Sequence, residues 1–323
     1  MNKTQKIMEF EKPLLSLFKK VDELKKISKH DKIDLSQEIK ALEERIEHQR
    51  RDIYSKLTPI QVVQISRHVQ RPTMLDLVPR IFTDFLELHG DRNFADDPAM
   101  VGGIAKLDGT SVVIVGQQKG NNTKENIYRR WGMANPEGYR KALRLMQMAD
   151  QFNKPIITFI DIAGAYPGIA GEERSVAEAI ARNLREMSSF EVPIIVVITG
   201  EGGSGGALGI GVGNKVLMLE FSIYSVISPE GCASILFRDA TKAPFAAEEL
   251  KLTAPSLLEM KVIDEIIKEP AGGAHTNVDV TAKNIKAALL KNLAELSQLS
   301  KSDLVEQRYK RFRGLGIFEE LSL

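Results

Sequence analysis

The sequence predicts an α/β protein in which units of strand, loop and helix repeat and stack in layers. Two continuous apolar runs, residues 155–161 and 193–199, have the composition of strands that are covered on both faces. Both runs begin Pro-Ile-Ile, and each is followed by a glycine-bearing loop and a helical pattern. This repetition predicts a stacked, spiral-like sheet system.

The composition limits the class of protein. The chain has 323 residues, 43% of them hydrophobic, and its 44 basic and 43 acidic residues leave a net charge of +1. A chain of this size can bury the core of one large domain or of two. The charge balance argues against a dedicated nucleic-acid binder, and no apolar run approaches the roughly 20 residues that a membrane span needs.

The first residues and the cysteine content indicate the cellular compartment. Residues 1–6 lead into a charged helical pattern rather than into the apolar core of an export signal. Cys232 is the only cysteine, which excludes a disulfide framework and a cysteine-rich zinc site within this chain. We therefore expect a cytoplasmic protein with no metal site of its own.

Residues 1–70 have the pattern of an N-terminal helical region. Apolar residues repeat at spacings of three and four in two segments, with charged residues on the other faces. The two stripes consist of Leu14, Leu17, Phe18, Val21 and Leu24, and of Leu35, Ile39, Leu42 and Ile46. The polar residues 29–34 separate them. We expect two amphipathic helices that pack on a neighbour, in this chain or in another.

A hairpin and a helix precede the first buried run. Residues 101–107 and 111–117 are rich in β-forming residues and flank Asp108-Gly109, a strong signal for a tight turn. Residues 138–152 then have the spacing of a helix. One face of that helix consists of Tyr139, Leu143, Met146 and Ala149.

Further elements follow the two runs. We expect a loop over residues 162–171 and a helix over 172–190 after the first run, and short strands at 215–219 and 223–227 after the second. Ser228-Pro229 is typical of a helix start, with serine as the cap and proline in the first turn.

The chain ends in two more helical patterns, residues 281–296 and 303–312. With these elements we divide the chain into the N-terminal helical region 1–70, a central domain 71–300 and a C-terminal helical tail 301–323.

The segment after the second run is the strongest functional signal. Residues 200–211 contain seven glycines in twelve positions, directly after a buried strand. A strand that ends in glycines and turns into a helix of small residues leaves backbone N–H groups unpaired and unshielded by side chains. Such a corner is suited to holding an anion.

Several long strings carry a family resemblance. They are Gly200-Glu201-Gly202-Gly203-Ser204-Gly205-Gly206-Ala207, Gly164-Ala165-Tyr166-Pro167-Gly168, Ser225-Val226-Ile227-Ser228-Pro229-Glu230-Gly231, Pro136-Glu137-Gly138-Tyr139-Arg140-Lys141-Ala142, Glu9-Phe10-Glu11-Lys12-Pro13 and Glu269-Pro270-Ala271-Gly272-Gly273-Ala274-His275. Together the strings resemble the α subunits of bacterial acetyl-CoA carboxylase carboxyltransferase, nearly end to end.

The resemblance implies a fold and partners. The fold would be a crotonase-like spiral of repeated β-β-α units, with an N-terminal helical extension and C-terminal helices. A β subunit would carry a zinc ribbon and most of the acetyl-CoA site, and the two chains would form an α2β2 tetramer. Biotin carboxylase and the biotin carboxyl carrier protein would complete the enzyme, and ATP would be used by biotin carboxylase.

The resemblance also implies a reaction. The carboxyl group of carboxybiotin, carried by the partner protein, would pass to acetyl-CoA and give malonyl-CoA, the first committed step of fatty acid synthesis. We expect the N–H groups of Gly205 and Gly206, with Ala207 close behind, to stabilise the biotin carbonyl oxyanion. Gly164, Ala165 and Tyr166 would form the opposite wall of the biotin site.

One loop departs from the family pattern. The family sequence usually reads Asp-Thr-Pro-Gly-Ala-Tyr-Pro-Gly, whereas this chain has Asp161-Ile162-Ala163-Gly164 at the loop entry. The missing proline predicts a looser entry to the loop.

Two rival interpretations start from the same glycines. Residues 202–206 fit G-x-S-x-G, so Ser204 with Asp264 and His275 could form a serine hydrolase triad of the Clp-protease type. The glycines could also serve close packing alone in a non-catalytic scaffold. The interpretation of the glycines as a phosphate or nucleotide site is weak, because no Gly-Lys-Ser/Thr ending and no acidic ribose partner follow them.

Two groups of basic residues remain. Lys119, Lys124, Arg129 and Arg130 form a cluster that would meet the carrier protein or CoA phosphates, or lie in a solvated loop. Arg308, Lys310, Arg311 and Arg313 are predicted to form an exposed helix end.

Overall fold

A computed structural model of the chain describes residues 8–31 and 33–316. Parts of two predicted regions, residues 1–7, Lys32 and residues 317–323, lie outside the described residues. The helices are α1 (Lys12–Asp31), α2 (Ser36–Tyr54), α3 (Pro59–Ser66), α4 (Met74–Ile81), α5 (Thr123–Tyr128), α6 (Pro136–Gln151), α7 (Ile169–Glu173), α8 (Val176–Ser189), α9 (Ser204–Leu208), α10 (Pro229–Phe237), α11 (Ala243–Glu249), α12 (Ala254–Glu259), α13 (Val278–Leu296) and α14 (Lys301–Arg313). The strands are β1 (Thr83–Glu87), β2 (Met100–Leu107), β3 (Thr110–Gln117), β4 (Ile156–Ile162), β5 (Ile194–Gly203), β6 (Lys215–Leu219), β7 (Ile223–Ser225) and β8 (Glu265–Ile267).

The strands form one mixed sheet in the order β1-β2-β3-β4-β5-β6-β8, and β7 pairs with β5. Strands β1 to β3 are antiparallel, and the pairs from β3 onward are parallel. The predicted hairpin between β2 and β3 is confirmed. Its turn places Asp108 and Gly109 at φ 49° and 86°, the left-handed conformation that this turn type requires.

Strand β5 changes partners along its length. Its first half pairs with β6, from Ile195 to Ile198, and its second half pairs with β7, from Glu201 to Gly203. The sheet therefore forks at β5. Because β4 and β5 are parallel neighbours, the loops that follow them leave the same edge of the sheet.

Apolar cores cover both faces of the sheet. Helices α6 and α8 pack on one face, where Tyr139, Leu143, Met146 and Ala149 are buried as predicted. Helices α4 and α13 pack on the other face. The side chains of β4 are buried along its whole length, which is the pattern expected of a doubly covered strand.

The two N-terminal helices pack on each other. Leu17 and Val21 of α1 and Ile46 of α2 form a small buried cluster, so the neighbour of each stripe lies in this chain. Tyr54, at the end of α2, connects the pair to the rest of the chain. Its ring meets the ring of Phe221 edge to face, at a centroid distance of 5.4 Å.

Three element boundaries differ from the sequence prediction. Strand β5 continues through the first glycines to Gly203, because glycine lets it pass close to the end of β4. The helix expected over residues 172–190 is broken at Ser175, whose φ is 63°, into α7 and α8. Strand β7 ends at Ser225, two residues earlier than expected.

The predicted start of α10 is confirmed, since Ser228 Oγ accepts the N–H of Gly231 at 3.0 Å.

The prediction that Arg308 lies on an exposed helix end is wrong. Its side chain is buried, and it donates to the carbonyls of Met187, Phe190 and Val192 at 2.8, 2.8 and 3.0 Å. These carbonyls belong to the end of α8 and the chain after it, where backbone acceptors have no helical partner. Arg311 also departs from the prediction, since its side chain is only 7% exposed and pairs with Asp264, whereas Lys310 is exposed as predicted.

No α-helix within the described ranges combines the length and the hydrophobicity of a membrane span.

Candidate active site

The loop after β4 and the start of α9 lie against each other. A Cβ built on Gly206 would be 2.6 Å from the backbone nitrogen of Ala165 and 2.7 Å from the carbonyl carbon of Gly164. Such distances are shorter than a real Cβ tolerates, so the two backbones are in direct contact. The structure thus brings together the two segments that the sequence predicts to form one site.

The glycines of this corner fall into two groups. Gly200 and Gly203 leave no room for a side chain, because a Cβ there would be 2.3 Å from Asp161 Oδ1 or 2.0 Å from the carbonyl oxygen of Ala163. Close packing explains these two glycines.

The second group is open. A Cβ on Gly205 would meet nothing closer than Ile180 Cδ1 at 3.9 Å, and a Cβ on Gly164 would meet Ser204 Cβ at 4.0 Å. Neither glycine has a positive φ. Packing and backbone conformation therefore do not require glycine at Gly205 or Gly164, and the backbone there is accessible from outside.

Helix α9 presents backbone donors at this opening. It has five residues, so the N–H groups of Gly205 and Gly206 precede its regular hydrogen bonding. The carbonyl of Gly206 accepts Gln117 Nε2 at 3.1 Å and the hydroxyl of Tyr139 at 3.2 Å, which fixes the orientation of the peptide that follows Gly206. Gly205 is half-buried, whereas Ala207 is fully buried and lies deepest of the three predicted donors.

Tyr166 lies over its own loop. A Cβ on Gly168 would be 2.3 Å from Tyr166 Cε1, so the ring covers that glycine. The guanidinium of Arg130 lies 6.0 Å from the ring centroid. The ring is half-buried at the edge of the corner.

A cluster of charges, which the sequence analysis missed, lies behind the glycines. Lys119 Nζ is 2.6 Å from Asp161 Oδ1 and 3.0 Å from Glu201 Oε2, and Arg67 bridges Glu201 and Glu230 at 2.6 and 2.7 Å. Burial alone would lower the pKa of Lys119, but the two carboxylates outweigh it and raise that pKa above its usual value. Burial would also raise the pKa of Glu201, but the neighbouring cations Lys119 and Arg67 outweigh it and lower that pKa below its usual value.

The predicted basic cluster is not a single exposed surface. Lys119 is largely buried against carboxylates, Arg130 pairs with Asp97, and Arg129 donates to the carbonyl of Pro98 at 2.6 Å. Only Lys124 is exposed among the four. The acidic residue Glu201 inside the glycine run indicates that a cation lies nearby, but it does not indicate which one.

Residues of the corner line two cavities. An apolar cavity of about 420 Å³ adjoins Ser204 and Gly205, and a polar cavity of about 580 Å³ adjoins Asp161, Ala163 and Glu201. The apolar cavity is completed by side chains of β7, α12 and α14 and by the neighbouring loops, among them Tyr224, Val226, Leu257, Arg311 and Phe312. Both volumes are in the range of small-molecule sites.

The structure does not assemble the rival triad. Asp264 accepts Arg311 Nε at 2.9 Å, and the ring of His275 stacks on that of His68 at a centroid distance of 3.8 Å. Burial and nearby cations lower the pKa of His275 to about 3, and its Nδ1 has no hydrogen-bond partner. Since Asp264 and His275 have other partners, neither serves as base or orienting acid for Ser204.

Metal and nucleotide chemistry find no support in the residues that the structure describes. Within residues 8–31 and 33–316, no three His, Cys, Asp or Glu side chains are grouped as a metal site needs. ATP or nucleotide binding by this subunit is not supported either, and the expected zinc and ATP sites concern partner chains.

A solved structure shares the fold. The chain is similar to transcarboxylase 12S, in a crystal structure with methylmalonyl-coenzyme A and methylmalonic acid bound, with a TM-score of 0.55 and 23% identity. The match covers 68% of this chain and 41% of that one. The fold is that of the carboxyltransferases, the crotonase-like α/β class, with helices at both ends of the chain.

Sequence comparison identifies the family. Residues 7–316 match the family model described as acetyl co-enzyme A carboxylase carboxyltransferase-like. The chain is 59% identical to the acetyl-coenzyme A carboxylase carboxyl transferase subunit alpha of Geobacter metallireducens, over 97% of this chain and 98% of the relative. The same subunit of Thermus thermophilus is 57% identical, over 97% and 99%. The chain therefore belongs to the family of acetyl-CoA carboxylase carboxyltransferase α subunits.

Proposed function

We propose that this chain supplies the biotin side of the carboxyltransferase site. The family transfers a carboxyl group to acetyl-CoA, and this chain is a transferase component of that complex. In the proposed reaction the carboxyl group comes from carboxybiotin on a carrier protein, and the product is malonyl-CoA.

The observation that carries the proposal is the open backbone at Gly205 and Gly164. Their missing side chains are explained neither by packing nor by conformation, and both flank the unpaired donors at the start of α9. A flat ring can approach the backbone most closely where no Cβ stands in the way. The residues therefore fit the bicyclic ring of biotin.

The role of the donors is electrostatic. Bound carboxybiotin would supply the carboxyl group, and negative charge would develop on its ureido carbonyl oxygen as that group passes to acetyl-CoA. The biotin anion would take the α-proton of acetyl-CoA, so no side-chain base is needed. The N–H groups of Gly205 and Gly206 donate to the ureido oxygen, with Ala207 behind them. One such preorganised donor is typically worth about 3 to 4 kcal/mol of transition-state stabilisation.

The loop after β4 forms the second wall. The backbone nitrogen of Ala165 lies beside Gly206, and Gly164 leaves the space in front of Ser204 open. Tyr166 borders this space at the edge of the corner and offers an apolar ring face. We assign Gly164, Ala165 and Tyr166 to biotin binding on these grounds.

The partners follow from the same scheme. A carboxyltransferase needs a second site for acetyl-CoA, and we assign it mainly to a zinc-bearing β subunit in an α2β2 tetramer. Biotin would arrive on the biotin carboxyl carrier protein, after carboxylation by the ATP-dependent biotin carboxylase. We place this assembly in the cytoplasm and expect the chain to be active only with its β subunit.

The substitution Gly205→Ala tests the role of the corner. The added methyl group has room within the fold, so the melting temperature should stay unchanged, but it stands at the proposed ring site. We expect the kcat for malonyl-CoA formation by the reconstituted α and β chains to fall at least about tenfold.

Gly206→Ala is the matched comparison. The same methyl group would meet the nitrogen of Ala165 at 2.6 Å, so this variant should also lose thermal stability. Full activity of Gly205→Ala would contradict the proposal. So would a wild-type chain that gives no malonyl-CoA with a competent β subunit and carboxylated carrier.

A further inference from the structure

Two side chains at the end of β3 reach both halves of the glycine corner. The first is Gln117, which is almost fully buried. Its Oε1 accepts the N–H of Asp161 at 3.3 Å, and its Nε2 donates to the carbonyl of Gly206 at 3.1 Å. One amide group therefore connects the end of β4 to the first turn of α9.

The second side chain is Lys119, two residues further along. Its ammonium group contacts Asp161 at the end of β4 and Glu201 in the glycine run of β5. Asp161 Oδ1 also accepts the N–H of Glu201 at 3.0 Å, and a Cβ on Gly200 would overlap that same oxygen at 2.3 Å. The carboxylate of Asp161 thus holds the end of β4 against β5 in a single position, and it fits there because residue 200 has no side chain.

The cost of this arrangement points to a role beyond stability. Burying an ammonium group between two carboxylates gives little net stabilisation compared with an apolar core of the same volume. The Asp161 and Glu201 side chains are almost fully buried, and Lys119 keeps 17% of its side chain exposed. What the ion cluster does provide is a fixed distance between the end of β4, whose loop forms one wall of the proposed biotin site, and β5, which leads into the donors of α9.

We propose that Lys119, assisted by Gln117, is a positioning residue for carboxyl transfer. It holds the loop of Gly164 and Ala165, which forms one wall of the proposed biotin site, at a fixed spacing from the start of α9, which carries the donors. This inference rests on the function proposed above. It assigns to Lys119 no contact with substrate, since its ammonium group contacts Asp161 and Glu201.

The test compares Lys119→Met with Lys106→Met in the reconstituted complex. Lys106 pairs with Asp84 at 2.8 Å on an exposed part of the sheet, so it controls for the loss of an ion pair. A misplaced donor weakens the transition state more than the bound ground state, so kcat should fall at least about tenfold with KM for the biotin donor changed less than about twofold. Lys106→Met should keep wild-type kinetics, and Lys119→Arg should recover at least about a third of kcat.

The pH dependence of kcat separates positioning from general damage. Without the lysine, the carboxyl pKa of Glu201 rises, because a cation that favoured its charged form is gone. Activity should therefore be lost at a higher pH on the acid side than in the wild type. The other charged or titratable groups around this cluster, unchanged in the variant, are Arg67, His68, Arg71, Glu230 and Glu269.

Several outcomes would overturn the inference. They are a Lys119→Met enzyme within about twofold of the wild-type kcat, an unshifted acid limb, or a Lys119→Arg enzyme no better than Lys119→Met. If Lys119→Met does not assemble, Glu201→Gln replaces it, with an expected loss of at least about threefold in kcat. An unchanged kcat in Glu201→Gln would then count against the role.

The two proposals fail differently. An active Gly205→Ala enzyme would remove the proposed oxyanion site itself. An impaired Gly205→Ala enzyme beside an unaffected Lys119→Met enzyme would leave that site in place and remove only the positioning role.

Discussion

Ser204 has a backbone conformation that residues other than glycine adopt rarely, with φ at 56°, where β5 turns into α9. The left-handed region costs an L-residue roughly 1 kcal/mol or more. In a serine hydrolase such a turn exposes the nucleophile. In this chain Asp264 and His275, the acid and base of the rival triad, have other partners. The strained conformation of Ser204 therefore serves the turn that exposes the start of α9.

Replacing Ser204 by glycine distinguishes these roles. Ser204→Gly relieves the conformational strain, so the free energy of unfolding should stay the same or rise by up to about 1 kcal/mol. Malonyl-CoA formation should stay within about threefold of wild type, because no hydroxyl group takes part. Ser228→Ala is the control, since it removes a serine that caps α10 and should lower stability by about 1 kcal/mol. Loss of all activity in Ser204→Gly would show a chemical role for the hydroxyl group.

Residue roles were predictable only where the signal is local. The glycine run and the loop with Gly164 stand out in the sequence because each follows a buried strand directly. The pairing of Lys119 with Glu201 joins residues 82 positions apart, and nothing in either neighbourhood specifies the partner. Arg308 was predicted wrongly for the same reason, since its acceptors lie in a distant part of the chain.

At the scale of elements, Arg308 attaches α14 to the body of the fold. Its guanidinium donates to three carbonyls at the end of α8 and in the chain after it and, at 2.7 Å, to Asn214 Oδ1. Burial lowers the pKa of Arg308 to about 10, so it remains charged at neutral pH. Helix α14 also contributes Arg311 and Phe312 to the apolar cavity beside Gly205. The anchor therefore supports one wall of the site.

Arg308→Met tests this anchor. The substitution leaves several buried carbonyls without a donor, and each such loss costs about 1 to 3 kcal/mol. We expect the free energy of unfolding in urea to fall by about 3 kcal/mol or more. Lys310→Met, on the exposed face of the same helix, should change it by less than about 0.5 kcal/mol. Equal effects of the two substitutions would contradict the anchor.

Long apolar elements were predicted well, and the short strand β7 was predicted two residues too long, whereas other short elements were missed. The sequence indicated β2 to β6, α1, α2, α6, α13 and α14 because each has a clear period or a continuous apolar run. Strand β8 has three residues, which is too few for a pattern. The extension of β5 to Gly203 was missed because glycine has low strand propensity, and its pairing with β7 depends on tertiary contact.

At the scale of the whole molecule, the corner opens toward a surface suited to a partner. Val226 lines the apolar cavity beside Gly205 and is 75% exposed. Helix α13, by contrast, buries its apolar residues in the core of its own chain. Leu208 lines the same cavity and is 38% exposed, and a group of exposed apolar side chains around one cavity marks a candidate protein interface. We therefore expect the β subunit to cover this rim.

Val226→Asp tests that expectation. The change is on the surface, so the chain should fold normally, but a carboxylate in an apolar interface is costly to desolvate. The dissociation constant for the β subunit, measured by sedimentation, should rise at least about tenfold. Phe152→Asp places the same charge at another exposed apolar position, 62% exposed, and should leave association unchanged. An unaffected affinity in Val226→Asp would place the interface elsewhere.

The central claim concerns one oxygen atom and its donors. The most direct measurement is a structure of the reconstituted α and β chains with biotin bound. We predict the ureido oxygen within about 2.7 to 3.1 Å of the backbone nitrogens of Gly205 or Gly206, with Gly164 and Ala165 on the opposite side. A ureido oxygen bound away from this corner, or held by the hydroxyl group of Ser204 instead, would contradict the account.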